Sequence, residues 1–82
     1  MNNLGSNSVL SFASAMQEKL DRNSHKVGWE NCELKWLIKR AKQEIAEVER
    51  AIKNNKTERK ILLECADVAN FMMMVADNYE SD

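Results

Sequence analysis

Hydrophobic positions recur at helical spacing along nearly the whole chain. Val9, Phe12, Ala13, Met16 and Leu20 form one i, i+3, i+4 series and predict a first helix over about Ser8 to Arg22. The serines and asparagines before it supply candidate caps. Asn23 to Asn31, NSHKVGWEN, is polar and punctuated by Gly28, so it reads as a connection. A second series, Leu34, Leu37/Ile38, Ala41, Ile45, Val48 and Ile52, predicts a helix over about Cys32 to Lys53, with Asn31 as N-cap. Asn54, Asn55 and Lys56 interrupt it. Thr57 can cap a third helix over about Glu58 to Asp77. No strand pattern, repeat or low-complexity segment is visible, and residues 1–7 and 79–82 read as flexible ends of one domain spanning 1–82.

The third helix differs from the others. Ile61, Cys65, Val68, Met72 and Val75 make its expected core stripe, yet Leu62, Ala66, Ala69, Phe71, Met73, Met74 and Ala76 point elsewhere. A helix apolar all round is buried all round. Two partner helices from so short a chain cover it poorly, so the pattern predicts a homo-oligomer, dimer or tetramer. The expected fold class is all-α: a three-helix chain forming a four-helix-bundle core across subunits. Isolated apolar residues facing water are the plainer alternative.

Composition narrows the function classes. The 82 residues carry 12 Lys+Arg against 13 Asp+Glu, a net charge of −1, which gives no basic footprint for nucleic acid. No apolar run reaches the length of a membrane span. MNNLGSNSVLSF lacks a basic leader followed by a long apolar region, so no signal peptide is expected. Cys32 and Cys65 form no CxxC, and a reduced, cytoplasmic setting is expected.

The candidate chemistry lies in the acids. With Ala41 as the centre of the second helix's stripe, Glu44 lies about 60° and Glu47 about 120° to one side. On the third helix, centred on Val68, Glu64 lies about 40° and Asp67 about 100° to one side. An antiparallel pairing across the short Asn54–Thr57 connection can bring both pairs into one cleft, and the 16 residues between Glu47 and Glu64 fit such a hairpin. Clustered carboxylates repel one another unless a divalent cation neutralises them, and hard oxygen ligands suit Mg²⁺ or Mn²⁺. Mg²⁺ commonly shares its coordination with substrate phosphates. Surface ion pairs, Glu47 with Arg50 and Glu49 with Lys53, are the alternative on the second helix. Glu64 and Asp67 are the only charges between Ile61 and Val75, which makes them the stronger half.

EIAE at 44–47 followed by ECAD at 64–67 resembles the ExxE…ExxD signature of the MazG-like, all-α nucleoside triphosphate pyrophosphohydrolases. HKVGW at 25–29, LIKRAKQEIAEVERAI at 37–52 and ECADVANFMMMVAD at 64–77 extend the likeness over about residues 9–79, most like the short phage- and prophage-associated members. The resemblance implies a helical bundle assembled as a dimer or dimer of dimers. It implies Mg²⁺ held by Glu44, Glu47, Glu64 and Asp67, and hydrolysis of a (deoxy)nucleoside triphosphate to the monophosphate and pyrophosphate. Two features depart from the pattern. Gln43 stands where many members carry a further Glu, and the C-terminal elements that help enclose the base in longer relatives are expected to be missing or supplied by another subunit.

On this reading Glu47, the more outward acid, is the candidate that orients or deprotonates the attacking water, with Glu44 beside it. Arg40 is placed for a phosphate contact or an i, i+4 pair with Glu44, and Lys60 has the same two options with Glu64. Trp36 and Trp29 are candidates for stacking a base or for packing. His25 is a candidate substrate contact or a plain surface residue. Asn70, nearly opposite the expected core stripe, is a candidate to reach a neighbouring subunit's site or to bond across an interface. The remaining functional alternative is a non-catalytic oligomeric binding module on the same scaffold.

Overall fold

The computed structural model describes residues 2–23 and 29–81, with side chains from 7–23 and 29–79. His25 and Gly28 lie outside them. Three helices follow in order: α1, Asn2–Arg22; α2, Leu34–Lys53; α3, Glu58–Ser81. A single 3-10 turn, Trp29–Asn31, precedes α2. All regular structure among the described residues is helical, and no helix is long and apolar enough to cross a membrane.

The α2–α3 hairpin is built by local chemistry. Asn55 adopts φ 55°, the left-handed region that ends many helices. Lys56 N–H then donates to the Ala51 carbonyl at 3.0 Å and Asn55 N–H to that of Ile52 at 3.1 Å, which satisfies the last carbonyls of α2. Two residues later Thr57 Oγ1 accepts from Lys60 N–H at 3.1 Å and caps α3, as expected.

Other boundaries differ from the sequence expectation. α2 begins at Leu34 rather than Cys32, and Glu33, not Asn31, occupies the N-cap without a side-chain hydrogen bond. The cause is long-range. Asn78 Nδ2, near the end of α3, donates to the carbonyls of Trp29 at 2.8 Å and Cys32 at 2.9 Å. Trp29 Nε1 donates to Asp77 Oδ2 at 3.2 Å. These bonds hold 29–32 as a separate turn. They also explain why α3 runs to Ser81 instead of stopping at Asp77: Asn78 is buried.

α3 is the central element. α1, α2 and the 3-10 turn all pack on it, while α1 and α2 do not pack on each other among the described residues. Ala15 of α1 meets Leu63 and Ala66, flanked by Met16 and Leu62, and the small alanines let the helices approach closely. The stripe expected on α3 is therefore corrected. Its most buried positions are Leu63, Ala66, Asn70 and Asn78, whereas Met72 is exposed. With α1 and α2 packed on it, only Leu63 and Ala66 of its apolar side chains are buried, and most of the others are half-buried. Open apolar surface lies on α3 at Met72 and Tyr79, on α1 at Val9 and Leu10, and on α2 at Trp36, Ile38, Ile45 and Ile52. Cys32 and Cys65 are free thiols, both half-buried.

Candidate metal centre

Pairing α2 against α3 brings Glu44, Glu64 and Asp67 together. One carboxylate oxygen from each lies within 4.8 Å of the others. Their side chains are largely enclosed, at 14%, 12% and 18% exposure. Each acid has its own cation. Arg40 Nη2 is 3.1 Å from Glu44 Oε2, Lys60 Nζ is 3.0 Å from Glu64 Oε2, and Lys19 Nζ of α1 is 3.2 Å from Asp67 Oδ2.

The electrostatics are set by burial more than by these partners. Burial, with the Asp67 charge beside it, holds the Glu44 carboxyl above its ordinary range, although Arg40 pulls the other way. Burial also raises Asp67; Lys19 opposes this and Glu64 adds to it. An ion pair normally lowers a carboxyl pKa, so the net upward direction says that these acids are incompletely compensated. The hydrogen bond to Glu64 raises the Lys60 ammonium, keeping it charged.

Glu47 is not in this group. Its carboxylate is 2.6 Å from Arg50 and its side chain is 45% exposed. A position twice as far round α2 from Ala41 carries it to the rim, where its charge still reaches Lys60. Arg40 lies 5.1 Å over the Phe71 ring and donates to Gln43 as well as Glu44. Trp36 meets Phe71 edge-on, with centroids 6.5 Å apart and planes at 74°. Trp36 and Phe71 thus form an aromatic wall one turn beyond Asp67, with half of Trp36 open to solvent. Trp29 sits elsewhere: its Asp77 partner is ten residues past Asp67, about 15 Å along the helix.

Asn70 requires a correction. It does not face away from the core but is 4% exposed, packed under α1, where Nδ2 donates to the Met16 carbonyl at 3.1 Å. Its place follows from the shift of the buried face toward α1. Lys19 and Phe71 are the neighbours that sequence reasoning gave no role. For Lys19 the signal was present, since it falls three residues after Met16 beside the apolar stripe of α1.

The donor set fits a small hard cation. Three carboxylate oxygens from two rigid helices satisfy the preference of Mg²⁺ or Mn²⁺ for oxygen, and they leave room for water and phosphate ligands. No protein-family model matches the chain, and no curated protein or solved structure matches it.

Proposed function

We propose that the chain is a Mg²⁺-dependent nucleoside triphosphate pyrophosphohydrolase of the MazG-like kind, converting a (d)NTP to the monophosphate and pyrophosphate. The observation that carries this reading is the convergence of Glu44, Glu64 and Asp67 beside three basic side chains and an aromatic wall. The three acids hold the ion. When bound, Mg²⁺ (or Mn²⁺) neutralises phosphate charge and acidifies water.

The chain's own residues do the rest. Arg40 and Lys60 are the phosphate ligands, since each already presents N–H donors at the rim of the trio. The exposed face of Trp36, backed by Phe71, stacks the base. Glu47, outside the trio and in water, accepts the proton of the attacking water as the phosphorus–oxygen bond to pyrophosphate breaks.

Self-association belongs to the same reading. Ile38, Ile45 and Ile52 recur every seven residues on the open face of α2. A second α2 laid antiparallel about Ile45 sets Ile38 against Ile52.

The three internal ion pairs favour one competing reading, a non-catalytic helical module whose acids are structural. A pyrophosphate-release screen over all dNTPs and NTPs with Mg²⁺ decides between them. The enzyme reading expects turnover with at least one nucleotide and its loss in Asp67→Ala. No turnover with any nucleotide, or full turnover after that substitution, ends it.

A further inference from the structure

The Lys19–Asp67 pair is unlike the other two at the trio. Arg40–Glu44 and Lys60–Glu64 are i, i+4 pairs within one helix, whereas Lys19 arrives from α1 by tertiary folding. It is also the most enclosed base of the three, at 19% exposure against 33% for Arg40 and 53% for Lys60. Burying an ammonium is costly without a partner, so Asp67 is what allows Lys19 to sit there.

Three carboxylates and three bases cancel. Adding a divalent cation to that balance leaves an excess of two positive charges unless bases move off. Arg40 is anchored twice more, by Gln43 and by the Phe71 face. Lys60 is half in water and can swing outward. Lys19 is the enclosed charge that a cation at Asp67 meets head-on.

Docking of α1 does not depend on this pair. Ala15, Leu63 and Ala66 pack together, Asn70 donates to the Met16 carbonyl, and Arg59 Nη2 is 2.5 Å from Glu18 Oε2. Lys19 can release Asp67 while α1 stays in place.

We infer that Lys19 is the counter-ion that Asp67 exchanges for a divalent cation, and that the released ammonium binds a phosphate oxygen of the ligand. This rests on the metal reading of the trio. An ammonium is a compact point charge with three donors, suited to a phosphate oxygen. The exchange also couples the two ligands: polyphosphate gives Lys19 somewhere to go, so each must raise the affinity for the other.

The test is Mn²⁺ binding to the whole chain, followed by electron paramagnetic resonance or calorimetry, with and without inorganic tripolyphosphate. Lys19→Gln removes one positive charge a few ångströms from the ion, so bare Mn²⁺ should bind about tenfold tighter. The Mn²⁺–tripolyphosphate complex should bind about tenfold more weakly, and Lys19→Arg should keep both values near those of the unmodified chain. In the unmodified chain the Lys19 side-chain amine resonance must shift on adding Mg²⁺, which reports on the exchange without any substitution. Equal or weaker Mn²⁺ binding by Lys19→Gln, unchanged tripolyphosphate binding, or an unmoved amine resonance in a chain that binds Mn²⁺ overturns this inference alone. An unmodified chain that takes up no Mn²⁺ overturns it together with the metal reading.

Discussion

Glu44→Gln should stabilise the metal-free protein and abolish most of its response to Mg²⁺. The substitution removes one negative charge from a trio whose ligand oxygens lie within 4.8 Å of one another. At water's dielectric constant each such pair repels by about 0.9 kcal/mol, while Arg40 at 3.1 Å returns about 1.3 kcal/mol. Two repulsions therefore outweigh one attraction by roughly 0.5 kcal/mol, and the cost of burying a carboxylate adds in the same direction. The expected gain is about 0.5–1.5 kcal/mol, a rise in Tm of about 2–12 °C for a domain of this size. For the unmodified chain, Mg²⁺ at about ten times its Kd adds about 1.4 kcal/mol, or roughly 6–11 °C. Scanning calorimetry near neutral pH, with chelator and then with Mg²⁺, should show the two proteins exchanging rank. A metal-free variant melting below the parent would mean that Glu44 is chiefly a structural partner of Arg40. An undiminished Mg²⁺ shift in the variant would place the ion elsewhere.

Three further outcomes follow from the same geometry. Burial holds Glu44 and Asp67 above their ordinary values of 4.5 and 3.8, so the folded chain binds these protons more tightly than the unfolded one. Metal-free stability should then rise as pH falls toward these ordinary values, while the Mg²⁺ increment shrinks, and melting temperatures at stepped pH that instead fall on that approach contradict the burial argument. Glu18, held down by its hydrogen bond to Arg59, acts only below its ordinary 4.5, where its contribution is lost as pH falls through its depressed folded-state value. Asn70 Oδ1 is buried with no partner among the described residues. Asn70→Leu should be within about 1 kcal/mol of neutral in denaturant melts, because the lost bond to Met16 is offset by relief of that orphan acceptor, whereas Asn70→Asp should cost about 2–3 kcal/mol. A severe loss with Leu would show that Oδ1 is satisfied after all. Ile45→Asp should shift the chain to monomer in light scattering, since it puts two charges on the proposed two-fold; an unchanged oligomer would move the interface away from α2.

Helix number and order, the α2–α3 hairpin and the Thr57 cap were readable because each depends on residues within a turn or two of one another. What escaped was what distant residues impose. Asn78 reaches back across the fold to the carbonyls of Trp29 and Cys32, and so sets where α2 starts and how far α3 continues. Nothing in the local pattern of a polar tail announces that. The face of α3 was misjudged for a related reason. A helix rich in Ala, Met and Val in every direction has no sharp apolar side, so its orientation is chosen by its neighbours, here by the buried cluster of Ala15 with Leu63 and Ala66.

The same distinction separates the acids. Glu64 and Asp67 share a flank of α3 at i, i+3 spacing, and Glu44 lies near enough to the centre of α2 to meet them, so helical geometry alone brings three together. Glu47 was grouped with them by spacing, but one more turn carries it round to water and Arg50. Glu47 therefore differs from the trio in exposure rather than in pairing, since its carboxylate also has a cation, Arg50, at 2.6 Å. The bases were less legible because a Lys or Arg four residues from an acid reads equally as a helix-surface pair. A near-zero net charge concealed them further. The 12 bases and 13 acids sum to −1 whether they are dispersed over the surface or, as here, gathered in part as three matched pairs around one small volume. Matched pairs also distinguish this centre from a bare acidic patch, and on the proposed reading a site that starts neutral would take a cation and a polyanion together at little electrostatic cost.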